Sequence, residues 1–404
     1  MTVLARRTAI AVFLAFAFTY FFSALLRAIT ATLSPTLTVE FNLSAQELGL
    51  LAGGYFFGFA ITQLPLGTWL DRHGPRNVLL WFLLAAVAGV IAFSMATSFT
   101  ALLLARVLCG VGVSACLMAP LTGFRRWLTP TAQLRANSWM LMTGSFGMVA
   151  ATLPVQWLMP VFGWRPLFWG LAVAIVLAMA AIAWKVPRWE PTVVEPGSQP
   201  GTYAQVWRNS YFRRMSPVGF FSYGGMIAIQ TLWAGPWMVR VAGYAPLEAA
   251  GGLFIINLCM LCTFWSWGML APALARRGIS TQRLIALGLP ISFVVLLAII
   301  VAGPAVGAWA WALFCISSTF VSLAQPSVGM AFPPALAGRA LSAYNLVIFG
   351  GVFVVQWGIG LLIDGFKAAG LPEVSAFRAA MGVFLVCSVL SYVYFLRAKD
   401  NSRS

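Results

Sequence analysis

The chain has 404 residues, of which 61% are hydrophobic, 14% aromatic and only 8% charged. A soluble domain carries about 25% charged residues, so a water-soluble enzyme is excluded, and so is disorder, which needs low hydrophobicity. The net charge of +16, from 25 Lys and Arg against 9 Asp and Glu, raises nucleic acid as a partner, and the placement of those charges decides the matter.

Runs of roughly 20 apolar residues recur along the whole chain, each long enough to cross a hydrocarbon core of about 30 Å as a helix. Twelve spans are expected, at 9–33, 46–69, 78–97, 99–123, 135–158, 165–185, 216–239, 248–271, 283–302, 308–331, 340–363 and 376–397. Helices are expected because lipid offers no partner to bare backbone groups, and the runs lack the alternation of a β-barrel. The first run follows Arg6 and Arg7 as a signal peptide would. It continues to about Leu33 with no small-x-small cleavage site, so it is read as the first membrane helix. The longest connection, 186–215, contains a Pro- and Gly-rich stretch that reads as a flexible linker. It divides the chain into an N-terminal six-helix bundle (1–185) and a C-terminal one (216–404).

The six cysteines, 109, 116, 259, 262, 315 and 387, all lie in apolar runs. Cys259 and Cys262 form a C-x-x-C, but the lone His73 completes no zinc site. They are read as small packing residues, and no metal or cofactor is expected.

Of the 25 basic residues, 19 fall at the termini or in even-numbered loops: Arg6, Arg7, Arg72, Arg76, Arg125, Arg126, Arg135, Lys185, Arg188, Arg208, Arg213, Arg214, Arg276, Arg277, Arg283, Arg339, Arg397, Lys399 and Arg403. Arg165, Arg240, Lys367 and Arg378 flank odd loops, while Arg27 and Arg106 lie inside spans. By the positive-inside rule both termini are cytoplasmic, in a multi-pass protein of a bacterial inner (plasma) membrane. The basic excess is then topology, and no nucleic-acid partner is expected.

The two halves echo each other. Pro130 precedes Arg135-Ala-Asn-Ser138 before span 5, and Pro334 precedes Arg339-Ala-Leu-Ser342 before span 11. Gly67, Asp71, Arg72, Gly74 and Arg76 stand between spans 2 and 3, with Gly268 and Arg276-Arg277-Gly278 at the equivalent place between spans 8 and 9. With these residues the chain resembles the major facilitator superfamily over nearly its whole length. Gly67, Asp71, Arg72, Gly74 and Arg76 fit the family's G-x-L-x-D-R-x-G-R-R signature, departing from it at Trp69 and Pro75. Arg106, Gly110 and Gly112 fit its R-x-x-x-G-x-G on span 4, and Gly163-Trp164-Arg165 its turn into span 6. The resemblance implies two six-helix bundles related by a pseudo-two-fold axis, with a pathway between them. It also implies a conformational lock in which Asp71 takes part, with Arg72, Arg76, Arg106, Arg135 and Arg339 in the same group and Pro272 leaving the second lock incomplete. Read from composition alone, the same basic loop only sets topology. The resemblance further implies a monomer, and pairing of span 2 with 11 and of 5 with 8. Gly49, Gly53, Gly54 and Gly58 on span 2, Gly144 and Gly147 on span 5, and Gly350, Gly351 and Gly358 on span 11 mark close helix packing.

None of the nine acids falls in the middle of a span, so the core has no obvious proton site. Arg27 is the ion out of place. Placing Arg at the centre of a membrane helix costs about 2.5–3.5 kcal/mol on insertion scales. Tyr20, Ser23, Arg27 and Thr30 share one helix face, which suits a cavity holding a carboxylate or phosphate. The alternative is that Arg27 snorkels to the outer interface. On span 7, Gln230, Trp233, Trp237 and Arg240 share a face, and Gly235-Pro236 is expected to break the helix. The tryptophans are read either as cavity lining or as an interfacial belt. Asn257, Gln325 and Gln356 are further intramembrane amides, either ligand contacts or helix glue. The candidate substrate site is therefore Arg27, Tyr20, Gln230, Trp233, Asn257, Gln325 and Gln356.

The function expected is secondary transport, symport or antiport, of a small solute. An organic anion is favoured, moved by rocker-switch alternating access with a proton or counter-substrate as co-partner. The alternative is a proton-driven multidrug or metabolite exporter, although span 5 lacks the Gly-Pro signature of such exporters. No enzyme motif is present.

Overall fold

The computed structural model describes residues 4–189 and 202–398. Residues 190–201 of the expected linker, and Lys399, Asp400 and Arg403 at the C-terminal end, lie outside the described residues. All regular structure among the described residues is helical. Span 1 is Arg6–Phe41; span 2 begins as Ala45–Ile61 and continues past Thr62 into Gln63–Met95, which reverses at Gly74 to become span 3. Span 4 is Phe99–Val113 with Ala115–Trp127, span 5 is Pro130–Ala150 with Leu153–Phe162, and span 6 is Trp164–Lys185. Span 7 covers 210–240, span 8 is Pro246–Arg276 and span 9 is Thr281–Ala302. Span 10 covers 308–330, span 11 is Pro334–Ala368 and span 12 is Glu373–Arg397. A short helix, Tyr203–Arg208, precedes span 7 within the stretch expected to be linker.

Among the described residues nine helices are long and apolar enough to cross a membrane unaided, and the pair that forms span 5, bent by 43°, makes a tenth. Spans 2 and 7 complete the set in pieces. Span 2 is interrupted at Thr62, where the Thr62 hydroxyl and the Gln63 amide both donate to the Phe59 carbonyl (2.8 and 3.2 Å). Span 7 carries π turns at Val218–Tyr223 and Ile229–Trp233. The expected break at Gly235-Pro236 is thus corrected: Ala234–Arg240 is regular helix. Pro236 offers no N–H to the preceding turn and its ring crowds a carbonyl there. The wide turn just before it absorbs the mismatch, as π turns inside helices do.

The packing repeats with a period of six spans. Span 1 packs on 5, span 2 on 4, and span 3 on 4 and 6. In the second half 7 packs on 11, 8 on 10, and 9 on 10 and 12. Between the halves, 2 meets 11 and 5 meets 8, which the same relation interchanges. This is the two-bundle, pseudo-two-fold architecture expected. Outward faces keep large apolar side chains exposed, among them Leu104, Val173 and Val294, as hydrocarbon solvent allows.

Small residues set how closely span 2 sits between its neighbours. Gly49 and Gly53 lie against Gln356 and Phe353 of span 11, while Gly54 and Gly58 lie against Leu103 and Val107 of span 4. Gly144 and Gly147 of span 5 face Tyr20 and Phe21 of span 1, so they are not what joins span 5 to span 8. Gly350 and Gly358 have open space before them. At Gly110 an added Cβ would run into the Tyr55 carbonyl, a backbone group that cannot step aside. Gly110→Val should therefore cost at least the ~1–3 kcal/mol typical of overpacking. It should lower the thermal midpoint of the detergent-solubilised protein by several degrees, whereas Gly170→Val, with nothing within 4 Å, should leave it unchanged. Equal midpoints would show that the span 2–span 4 contact is not close-packed.

Candidate functional site

Span 1 carries Arg27 well inside the bundle. The helix continues for about 21 Å beyond it, at 1.5 Å per residue, to its end at Phe41, and the guanidinium does not extend along it toward that end. The guanidinium turns inward instead. Its Cζ lies 5.7 Å from the ring centre of Phe59 on span 2 and 5.7 Å from that of Phe349 on span 11, attractive geometry for a cation over aromatic faces. Tyr20, Tyr55 and Tyr223 are its polar neighbours. Nε is buried without a partner. Among the described residues the one ion pair is Arg165–Glu40, and Arg27 has no carboxylate.

A second guanidinium stands beside it. Arg106 is 1% exposed and donates from Nη1 to the Leu26 carbonyl (3.0 Å). Its Cζ is 5.1 Å from the Tyr55 ring and 5.9 Å from the Phe93 ring. Arg106 thus ties span 4 to span 1 in the middle of the bundle, away from the basic-end loops with which it was grouped. Tyr20, 6% exposed, completes the wall on the span 5 side, against Gly144.

The amides expected at the site do not all gather there. Gln230 donates to Asn257 Oδ1 (3.0 Å), and Asn257 donates to the Leu253 carbonyl (2.9 Å), so this pair joins span 7 to span 8. Gln356 donates to the Thr231 hydroxyl (3.0 Å), and its carbonyl accepts from Trp233 Nε1 (3.0 Å), joining span 11 to span 7. Gln325 donates to Asn345 Oδ1 (2.5 Å), and Asn345 donates to Gln63 Oε1 (3.4 Å), a chain from span 10 through 11 to span 2. Trp237 is fully buried, its ring 5.4 Å from that of Trp311, so it is no interfacial belt residue.

The two ends of the span 2–span 11 seam are held differently. At the charge-poor end, Asp364 of span 11 accepts from the backbone N–H groups of Ala45 (3.3 Å) and Gln46 (2.6 Å). Those donors open span 2 just after its N-cap, Ser44, whose capping box with Glu47 is intact. A carboxylate at a helix N-terminus is favoured by the unpaired N–H groups and the dipole there. Above this contact a cavity of ≈ 90 Å³ is lined by Ser34, Thr38, Trp233, Arg240, Lys367 and Glu373. Trp233 therefore stands between the inner site and this vestibule.

At the basic end, Asp71, Arg72 and Arg135 are exposed. Gly74 has φ +75° and is covered by Trp189, whose Nε1 donates to the Asp71 carbonyl (3.2 Å); a side chain at Gly74 has neither the conformation nor the room. Arg76 donates to the Ala183 carbonyl of span 6 (2.5 Å), and Gly67 approaches Ser342 of span 11. Tyr203 of the short helix has Arg339 and Asp71 as charged neighbours. The Tyr203 hydroxyl donates to the Leu64 carbonyl (2.9 Å). Burial pushes its phenol pKa up, Arg339 and Ser342 pull it down, and Asp71 raises it again. Asp71 makes no direct ion pair with any of the described residues.

Sequence reasoning missed Phe59, Tyr55, Tyr223 and Phe349 around Arg27, and Asp364 and Tyr203 at the two ends. In a chain with 31 Phe no spacing singles out two of them. Asp364 had a signal, an acid at the end of one span set against the Ser44-x-x-Glu47 start of another. Charge-assisted hydrogen bonds contribute about 1.5–3 kcal/mol, so Asp364→Ala should shift the balance toward opening of the charge-poor end by about tenfold or more. A cysteine placed at Ser34, with exposed Cys262 replaced by Ser, should then label several-fold faster with an impermeant maleimide. Unchanged labelling would mean that this carboxylate holds nothing shut.

A family model described as Major Facilitator Superfamily matches residues 16–356. A protein of Escherichia coli (strain K12) named "Probable L-galactonate transporter" is 26% identical over 203 residues, 49% of this chain and 43% of that one. A 4-hydroxybenzoate transporter of Acinetobacter baylyi is 24% identical over 276 residues, 59% of this chain and 60% of that one. The matches thus span about half the length of these relatives. The fold is similar to that of a bacterial homologue of the human lysosomal transporter Spinster, in an inward-facing and unoccupied conformation. The TM-score is 0.78 at 18% identity, covering 98% of both chains. With a family model over most of its length and two packed six-helix bundles, the chain belongs to the major facilitator superfamily.

Proposed function

We propose that the protein is a secondary transporter of small organic anions, working by alternating access with Arg27 as the anion ligand. One observation carries this reading: a guanidinium deep in the bundle, at the seam between the halves, with aromatic neighbours and no carboxylate. A charge left unpaired in a poorly solvated interior is costly, and a substrate carboxylate would remove that cost through bidentate hydrogen bonds. The named substrates of the two relatives, L-galactonate and 4-hydroxybenzoate, are both carboxylates, which agrees with it.

In this proposal the basic face is cytoplasmic, by the positive-inside rule. Asp364 and the start of span 2 form the outer closure, and Tyr203 with Asp71 and Arg339 the inner one. Arg27 touches one ring from each half, so an anion that binds it acts where the halves meet. A ligand can shift such an equilibrium only through differential affinity for the two states; parting of Phe59 from Phe349 supplies that difference. With no acid in the core, a proton travels with the substrate or the cycle is an exchange.

Uptake of radiolabelled 4-hydroxybenzoate and galactonate into proteoliposomes tests the reading. The wild type should accumulate at least one of them. Arg27→Gln should lower that uptake by tenfold or more while eluting as the same monodisperse species, and Arg27→Lys should keep part of it. Accumulation of neutral or cationic solutes only, or full activity in Arg27→Gln, would rule the proposal out.

A further inference from the structure

The surroundings of Arg27 also bear on which anion it takes. We infer that the substrate is a planar aromatic carboxylate rather than a polyhydroxylated acid, an inference that rests on Arg27 being the anion ligand.

The ring centres of Phe59 and Phe349 are 4.4 Å apart, while each lies 5.7 Å from Arg27 Cζ. Both rings therefore sit on the same side of the guanidinium. Phe56 extends this platform, stacked on Phe349 with ring centres 6.1 Å apart and planes 14° from parallel. The Tyr20 and Tyr55 hydroxyls hydrogen-bond the same cation, and the Tyr223 hydroxyl is a further polar neighbour. Arg27, Phe349 and Tyr223 are partly accessible, while Phe59, Tyr20 and Tyr55 are buried. The surface presented to a ligand is thus one cation, a phenyl face and a phenol.

Most of the amides that would recognise a polyol are engaged elsewhere. Gln230 and Asn257 bind each other, Gln356 binds Thr231, and Gln325, Asn345 and Gln63 form their own chain. The Tyr55 hydroxyl donates to the Ser23 carbonyl. A ligand with a hydroxyl on every carbon would give up water at each and find few replacements. A flat apolar body attached to a carboxylate loses nothing of that kind and gains offset or edge contacts with Phe349 and Tyr223.

The test is ligand binding to the purified full chain in detergent by isothermal titration calorimetry. The probes are benzoate, cyclohexanecarboxylate (the same size without the flat ring), gluconate and benzyl alcohol. Benzoate should bind at least tenfold tighter than each of the other three. Phe349→Leu should weaken benzoate about fivefold or more while changing gluconate little, and Phe349→Tyr, which keeps the ring, should retain the preference. Gluconate or cyclohexanecarboxylate binding as tightly as benzoate, with all three lost in Arg27→Gln, would overturn the aromatic preference and leave the anion site standing. Benzyl alcohol binding as well as benzoate, or carboxylate binding that survives Arg27→Gln, would overturn both.

Discussion

An arginine side chain cannot discharge in the membrane, and Arg27 lies inside its helix bundle. Arg27 must therefore be accommodated by what surrounds it. The bundle supplies aromatic faces and phenol groups, and it withholds a carboxylate. Arg106, one span away, meets the same difficulty with a different outcome. Its Nη1 is committed to the Leu26 carbonyl and its planes to Tyr55 and Phe93. One guanidinium is sealed between helices; the other remains partly accessible.

That arrangement depends on how closely span 2 approaches both of its neighbours. Two glycines admit the backbone of span 11 and two admit span 4. As a result Phe59 is carried to Phe349 on one side and Tyr55 to Arg106 on the other. The interruption at Thr62 follows directly, with the exposed Phe59 carbonyl taken up by Thr62 and Gln63. Gln63 then reaches across to Asn345. A single helix thus positions the aromatic platform, one amide of the cross-half chain and the N–H groups that Asp364 engages. The seam it forms with span 11 is the line along which the two bundles are joined at both ends and in the middle.

The closures at the two ends use different chemistry. At the charge-poor end a carboxylate meets bare N–H groups directly. At the basic end Tyr203, on a short helix, donates to the Leu64 carbonyl with Arg339 and Asp71 as charged neighbours. Asp71 forms no direct ion pair with a described residue there.

Much of the architecture was legible without coordinates, because the bilayer imposes length and polarity on each segment independently of its neighbours. The twelve apolar runs, the alternation of basic loops and the echo of Pro130–Arg135 in Pro334–Arg339 are local properties, and the six-span packing repeat agrees with them. Arg27 was legible for the same reason, since a charge in an apolar run stands out wherever it points. Its surroundings were not. Gln230, Trp233 and Gln356 share plausible faces with a cavity, yet each finds a partner on another helix, and only the packing decides between a ligand contact and an internal one. On span 7, Gly235-Pro236 pointed to a break, whereas the structure has a wide turn at Ile229–Trp233 just before it. Tertiary structure alone brought Phe59 and Phe349 within 4.4 Å of each other, 290 positions apart in the sequence, because contact between halves is set by helix approach, which no single segment encodes.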